Sequence, residues 1–297
     1  MPAGVLRADD ASRVRIIHVS DVHHQLEWAR LPWSKSGWRG VPGRLELHAM
    51  GRLHRFAQGS NAWLRILEDI DHLDADHVIF TGDLTAMGDG EEFEAVLASV
   101  RHLTKEGQLT VVPGNHDRYQ GGRHFERVFA DQLASAMPEH ADETGYPFVR
   151  LLGDDVALIG LDSTRVPGWS QYVVGRLGGS QLAALTRILD DPRLANRTVH
   201  VLSHHGPLSP DGRREWLESA LIDGPALLRV LEGREVMLHH GHSHIRSWQR
   251  AGEERPHLFG GGSSTEPGRE GYWMIDVEDH LTLEAAHFRP GRERAHH

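Results

Sequence analysis

Five short polar stretches, each following a short apolar segment, constrain the fold of this chain more than any other feature. They are "SDVHH" (20–24), "TGDL" (81–84), "PGNHD" (113–117), "SHHGP" (203–207) and "GHSH" (241–244). The apolar segments before them have strand-like patterns, and helical patterns such as "EEFEAVLASVRHL" (91–103) lie between them. This alternation predicts an α/β fold with a mainly parallel sheet, and the strand-rich tail adds a second sheet or an extension.

Polar residues at the carboxyl ends of these strands are expected to meet in space. In open α/β sheets, the loops beyond those ends line the ligand crevice, even when they are far apart in sequence. Glycines in three of the stretches allow tight turns close to a ligand. The residues expected to converge are Asp21, His23, Asp83, Asn115, His116, His204, His242 and His244.

The mixture of oxygen and imidazole side chains at these positions suits divalent Mn, Fe, Zn or Co. The step from Asp21 to His23 lets both side chains turn toward one ion. His242 and His244 are expected on the same side of an extended segment, because side chains alternate along a strand. Asp83 is a single carboxylate that can bridge two ions ~3.5–4 Å apart. Each pattern alone is commonly structural, whereas five of them in order favour a metal site.

This ordered set resembles the calcineurin-like metallophosphoesterase superfamily, over about residues 13 to 288. The resemblance implies a four-layer α/β/β/α sandwich of two mixed sheets, with two divalent metal ions at the C-terminal strand ends. It assigns the first ion to Asp21, His23, Asp83 and His244. It assigns the second ion to Asp83, Asn115, His204 and His242. It leaves His116 facing the substrate as a catalytic residue, with Asp117 as its orienting partner.

Several further histidines need separate interpretation. In "SHHGP" either His204 or His205 is a candidate ligand, and the position at the strand end favours His204. His205 then lies behind the ligands or faces the substrate, and His24 is expected only near the site. The histidines within the predicted strands are interpreted as packing or supporting residues: His18, His239 and His240.

The resemblance implies hydrolysis of a phosphodiester or phosphomonoester by a hydroxide that bridges the two metals. The branch of serine/threonine phosphatases is disfavoured because the chain reads "GDLTAMGDG" where they have "GDxxDRG". The lipid A precursor pyrophosphatases carry arginine where His116 stands. The remaining resemblance is to bacterial cyclic-nucleotide and glycerophosphodiester phosphodiesterases. The alternatives are a cyclic-nucleotide phosphodiesterase specifically, or a non-catalytic metal-binding scaffold for protein–protein contact.

Composition limits the partners and the organisation of the chain. A formal charge of −10 argues against general nucleic-acid binding and leaves a small-molecule phosphoester as the expected partner. Cysteine is absent, and neither a signal peptide nor a membrane-length apolar stretch is evident, so a cytoplasmic protein is expected. A single domain over 1–297 is predicted, with an insertion at about 28–60 that is either a plain structural excursion, the alternative slightly favoured, or a lid or partner surface. That insertion and the loop 165–180 are expected to shape specificity, and oligomeric state is left open.

Overall fold

Two mixed β-sheets form the centre of the computed structural model. The structure describes residues 13–25, 59–120, 124–165, 174–213, 221–250, 256–278 and 282–288. The predicted insertion at 28–60 therefore lies outside the described residues except at its last two positions. The specificity loop 165–180 is described only at 165 and 174–180.

The described residues form eleven strands and six α-helices. The strands are β1 (Val14–Val19), β2 (His77–Phe80), β3 (Leu109–Val111), β4 (Phe148–Leu152), β5 (Val156–Gly160), β6 (Thr198–Leu202), β7 (Val236–His240), β8 (Arg246–Arg250), β9 (His257–Gly261), β10 (Tyr272–Glu278) and β11 (Thr282–Phe288). The helices are α1 (Gly59–His72), α2 (Gly90–Ser99), α3 (Arg101–Lys105), α4 (His124–Val128), α5 (Gly179–Leu189) and α6 (Gly224–Leu231). Short 3₁₀ turns lie at His116–Arg118, Ala130–Leu133, Pro138–His140 and Pro192–Leu194.

Each sheet combines parallel and antiparallel strand pairs. The first sheet has the order β11-β10-β1-β2-β3, in which β1, β2 and β3 are parallel and β10 and β11 are antiparallel additions. The second has the order β4-β5-β6-β7-β9-β8, in which β5, β6, β7 and β9 are parallel. The resemblance-based expectation of an α/β fold with two mixed sheets is confirmed.

The strand-rich tail is divided between the two sheets instead of forming a sheet of its own. Strand β9 joins the second sheet between β7 and β8, whereas β10 crosses to the first sheet and pairs with β1. The strand with which a given strand pairs can be far away in the sequence. The apolar pattern of the tail therefore does not show which strands β9 and β10 pair with. Of the two alternatives expected for the tail, a second sheet or an extension, the structure shows an extension, and it extends both sheets.

Three apolar layers separate four layers of secondary structure. Helices α1 and α2 pack on one face of the first sheet, where Trp63 and Phe93 meet Phe80. Ile79 of the first sheet and Leu158 of the second lie in the core between the sheets. The outer face of the second sheet is covered by α5 and α6 through residues that include Leu185 and Leu227. The result is the α/β/β/α arrangement.

Because the inner strands are covered on both faces, their polar residues are also buried. His18 follows Ile16 on the face of β1 that points at the second sheet, and its Nε2 lies 2.8 Å from Oγ1 of Thr81. His239 of β7 lies edge-on to His18, and its Nε2 lies 2.9 Å from Nδ1 of His200. His18 and His239 thus occupy the space between the sheets.

No helix among the described residues is long and apolar enough to cross a bilayer.

Candidate metal centre

The polar stretches meet where the carboxyl ends of the parallel strands of both sheets face each other. Within the first sheet, the amide of Asp21 donates to the carbonyl of Gly82 across 3.1 Å, which places the loops after β1 and β2 side by side. Between the sheets, Nδ1 of His204 donates to the carbonyl of Thr81 across 2.7 Å. The amide of His242 lies 3.1 Å from Oδ2 of Asp21. Contacts among the remaining residues, described below, join the loop after β3 and His244 to the same place, so all eight residues expected to converge lie together.

Five of the predicted ligands have a left-handed backbone. The φ angles are 51° at Asp21, 47° at His23, 52° at Asp83, 69° at His242 and 55° at His244. Asp74 is the one other non-glycine residue with positive φ in the part of the chain that the structure describes. Such backbone is uncommon outside glycine and clusters at functional sites. His242 and His244, which follow β7, therefore point toward the site from left-handed backbone. The expectation that they lie on an extended segment is wrong.

One group of donor atoms comes from Asp21, His23, Asp83 and His244. Their candidate ligand atoms all lie within 4.8 Å of one another. Nε2 of His23 is 3.0 Å from Nε2 of His244 and 3.7 Å from Oδ2 of Asp83. Nε2 of His244 is 3.3 Å from Oδ1 of Asp21. Atoms that bind one ion at ~2.0–2.2 Å are separated by such distances, so this donor set fits a divalent metal.

A second group adjoins the first through Asp83. Oδ1 of Asn115 lies 3.0 Å from Nε2 of His204 and 3.1 Å from Nδ1 of His242. Nε2 of His204 is also 3.4 Å from Oδ2 of Asp83. His205 contributes a further imidazole, since one nitrogen each of His204, His205 and His242 lie within 4.8 Å of one another.

The two buried carboxylates are held ionised by the histidines around them. Burial would raise the pKa of Asp21, but its hydrogen bond to His244 and the charge there lower it below the usual value. Burial also opposes ionisation of Asp83, whose pKa is brought well below the usual value by the charges of His204 and His116. Conversely, against the effect of burial, Asp83 raises the pKa of His204 to about 9. Buried negative charge surrounded by imidazoles is a setting that a divalent cation stabilises.

Two glycines leave room for these carboxylates. A Cβ atom on Gly114 would lie 2.1 Å from Oδ1 of Asp83. On Gly241 it would lie 2.0 Å from Oγ of Ser20 and 2.4 Å from Oδ2 of Asp21. The backbone of these two loops therefore approaches the carboxylates more closely than any residue with a side chain permits.

His116 lies beside the donor atoms of both groups. Its amide donates to Oδ1 of Asp83 across 2.9 Å, and its ring centroid is 4.6 Å from that of His23. Nε2 lies 3.1 Å from the hydroxyl of Tyr119 and 4.0 Å from Oδ2 of Asp83. Nδ1 donates to the carbonyl of Ala86 across 2.8 Å, which fixes the plane of the ring.

Asp117 has a different task from the one expected of it. Its carboxylate accepts from the amides of Gly114, Thr85 and Leu84 at 2.9, 3.0 and 3.3 Å, and from the Thr85 hydroxyl at 2.9 Å. It therefore ties the loop after β2 to the loop after β3. The expectation that Asp117 orients the His116 ring is corrected, because the carbonyl of Ala86 takes the proton of Nδ1.

Sequence reasoning missed a sixth stretch, "SSTE" (263–266), which follows β9 at the same edge. Ser263 donates to the carbonyl of Asp21 across 2.9 Å, and Thr265 donates to the carbonyl of Val22 across 2.7 Å. Oε2 of Glu266 lies 3.0 Å from Nδ1 of His244. The signal in the sequence is the same as in the other five stretches, polar residues directly after an apolar strand.

The remaining histidines lie around this centre. His24 is half-buried, and its amide donates to the carbonyl of Leu84 across 2.8 Å. His205 is fully buried, and Nδ1 lies 2.8 Å from Oγ of Ser163. His240 packs its ring against Gly206.

Comparisons with known proteins agree with this arrangement. A structure of a dimetal phosphatase from zebrafish (Danio rerio) is similar with a TM-score of 0.59 and 14% identity, over 93% of this chain and 99% of that one. Purple acid phosphatase from yellow lupin gives a TM-score of 0.59 at 14% identity, over 95% of this chain and 52% of the lupin chain. A sulfate thiohydrolase from Thermus thermophilus gives a TM-score of 0.54 at 17% identity, over 95% of this chain and 58% of the Thermus chain.

These likenesses show a shared fold, and the chain spans little more than half the length of the lupin and Thermus proteins. No curated protein sequence matches the chain. The sequence profile of the calcineurin-like phosphoesterase family matches residues 14–246, which contain all seven predicted metal ligands. The chain therefore belongs to the calcineurin-like phosphoesterase family.

Proposed function

We propose that the chain is a two-metal phosphoesterase that hydrolyses phosphodiesters. The observation that carries the proposal is the position of the Asp83 carboxylate between two groups of donor atoms. Oδ2 of Asp83 lies 3.7 Å from Nε2 of His23, in the first group, and 3.4 Å from Nε2 of His204, in the second. A carboxylate shared in this way is the bridging ligand that a two-ion hydrolytic site needs.

The donor chemistry supports one ion in each group. The first group offers two carboxylates and two imidazoles from Asp21, Asp83, His23 and His244, and the second offers Asp83, Asn115, His204 and His242. Mixed oxygen and nitrogen ligands fit Mn, Fe, Zn or Co. Two ions bound there would supply the Lewis acidity that activates water and offsets charge on phosphoryl oxygens.

His116 is proposed as the group that handles the proton of the leaving oxygen. Because Nδ1 is held by the Ala86 carbonyl, Nε2 is the nitrogen that faces the site. With a second proton on Nε2, as an imidazolium, the ring can donate that proton to an alkoxide as the ester bond breaks and return to the neutral form, and its charge can stabilise the phosphoryl group. Asp117 supports this by holding the two loops that carry Asp83 and His116.

A diester is proposed as the substrate because "PGNHD" and "SHHGP" resemble the corresponding segments of the cyclic-nucleotide and glycerophosphodiester phosphodiesterases. Proton donation by His116 suits an alcohol leaving group of high pKa, which alkyl diesters and alkyl monoesters share, so the substrate panel includes both classes. A cyclic-nucleotide phosphodiesterase is the narrower form of the same proposal.

The test combines metal analysis with a substrate panel. The protein is loaded with Mn²⁺, Fe²⁺, Zn²⁺ or Co²⁺ and assayed with bis(p-nitrophenyl) phosphate, p-nitrophenyl phosphate, cyclic nucleotides and glycerophosphodiesters. We expect two ions per chain and faster turnover of diesters than of monoesters. Asp83→Asn should lose metal and activity together. Asp74→Asn is the matched control, since Asp74 also has a left-handed backbone, φ 48°, outside the site.

Full activity of Asp83→Asn would contradict the two-metal proposal. A protein that binds metal but hydrolyses none of the panel would instead favour the scaffold. Faster turnover of monoesters than of diesters would be consistent with the two-metal proposal but would overturn the assignment of a diester as the substrate.

A further inference from the structure

His205 lies at the edge of the second donor group. Its position after the strand favoured His204 over it as the ligand, and the two-metal proposal above does not use it. Its side chain is fully buried, with 0% of its surface exposed. Within the described residues, its Nε2 atom has no hydrogen-bond partner. Buried polar atoms are almost always paired, so an unpaired imidazole nitrogen needs a physical explanation.

The ring of His205 is fixed in place from two directions. Oγ of Ser163, just beyond β5, lies 2.8 Å from Nδ1, and the same oxygen accepts from the His205 amide across 3.2 Å. Gly175 covers the ring so closely that a Cβ there would lie 2.3 Å from Cγ of His205. A serine hydroxyl oxygen can accept from both nitrogen atoms. With Nδ1 as the donor, the lone pair of Nε2 is left unused.

The neighbours of the ring are the two imidazoles already placed in the second group. The ring centroid of His205 lies 4.3 Å from that of His242 and 4.9 Å from that of His204. One nitrogen from each of the three residues lies within 4.8 Å of the other two. Three imidazole nitrogens at such separations match the ligand spacing of a single ion.

We propose that His205 is an additional ligand of the second metal ion, bound through Nε2. This inference rests on the two-metal function proposed above. It makes the two sites chemically unequal, because the second then has three imidazoles and the first has two carboxylates. Imidazole-rich sites prefer Zn²⁺, whereas carboxylate-rich sites suit Mn²⁺. The second site is therefore expected to discriminate for Zn²⁺ over Mn²⁺.

The test measures metal binding directly, in the full chain. Zn²⁺ and Mn²⁺ are each titrated by calorimetry into metal-free protein, and melting temperatures are recorded with and without metal. In His205→Leu, we expect one of the two Zn²⁺ affinities to fall at least ~tenfold, with a smaller loss for Mn²⁺. The other site and the melting temperature without metal should stay close to those of the wild type, because leucine removes the unpaired nitrogen.

Ser163→Ala provides a second variant that keeps the imidazole. It should weaken the same Zn²⁺ site by a smaller factor, since only the partner of Nδ1 is lost. If His205→Leu lowers stability as well as affinity, an unchanged Zn²⁺ affinity in Ser163→Ala overturns the ligand role. Unchanged Zn²⁺ affinity in His205→Leu overturns it outright and leaves the two-metal proposal standing. If the wild-type protein binds fewer than two ions per chain, both the two-metal proposal and the ligand role of His205 are overturned.

Discussion

Oε2 of Glu266 lies 3.0 Å from Nδ1 of His244, and this contact joins the loop after β9 to the loop after β7. The opposite nitrogen of the same ring, Nε2, faces His23 and Asp21. A carboxylate that accepts from one nitrogen of an imidazole fixes its tautomer and increases the basicity of the other. Glu266 therefore acts on the first donor group without belonging to it.

Replacing Glu266 with glutamine should weaken metal binding at the first group by roughly 10–100-fold, because the amide keeps the size of the side chain but not its charge. Calorimetric titration of metal-free protein measures this. Glu270→Gln is the control, since Glu270 belongs to the same segment and contacts the amide of Gly268. Equal metal affinities in the two variants would show that the Glu266 contact does not support the ligand.

Gly114→Ala should remove metal binding and activity. Its Cβ would lie 2.1 Å from Oδ1 and 2.8 Å from Cγ of Asp83, so the carboxylate proposed to bridge the two ions would have to move. Metal content after dialysis and turnover of bis(p-nitrophenyl) phosphate are the two measurements. In Gly179→Ala, at the start of α5, the Cβ meets open space, and stability should change by less than about 1 kcal/mol. A Gly114→Ala protein with full metal content would contradict the close-approach argument.

His116→Ala should slow turnover by roughly 10²–10⁴-fold, the usual contribution of a positioned proton donor. The metal content should stay at the wild-type value, because the His116 ring is not among the proposed ligands. Steady-state kinetics on metal-loaded protein, together with metal analysis of the same sample, separates the two roles. Loss of an ion from this variant would move His116 into the ligand set.

His77 should make the protein less stable in acid. Burial, and to a smaller extent the charge of Arg150, lower the pKa of His77 to about 3. The unfolded chain therefore binds a proton that the folded chain does not between pH ~6.5 and 3. The stabilisation is fully present above that window and is lost as the pH falls through it.

His77→Gln should reduce the pH dependence of the free energy of unfolding by about 1.4 kcal/mol per pH unit inside this window. Urea denaturation of metal-free protein at pH 7, 6 and 5 gives the slope. Glutamine can keep the 2.8 Å contact that Nε2 makes with Oγ1 of Thr110. His72→Gln, at an exposed position on α1, serves as the control. Identical slopes for His77→Gln and the wild type would rule out His77 as a source of acid sensitivity.

The sequence was most informative where an apolar strand runs directly into polar residues. Asp21, Asp83 and His204 could be placed at one edge of the fold because parallel strands share the direction of their carboxyl ends. Contacts made through backbone atoms could not be foreseen, and the Ala86 carbonyl that holds His116 is one of them. Glu266 was missed for a related reason, since its place depends on β9 pairing with β7.

Left-handed backbone at five proposed ligands also limits what those positions can become. Aspartate, asparagine and histidine tolerate this conformation better than most residues, whereas a β-branched side chain is strongly disfavoured there. Asparagine or glycine at Asp21 or Asp83 would therefore remove charge while the loop keeps its shape. Valine or isoleucine would destabilise the left-handed backbone of the loop itself. A homologue that has lost the metal site but keeps this fold should have asparagine or glycine at these positions. In a mutational library of these positions, the variants that still fold should likewise be enriched in asparagine and glycine.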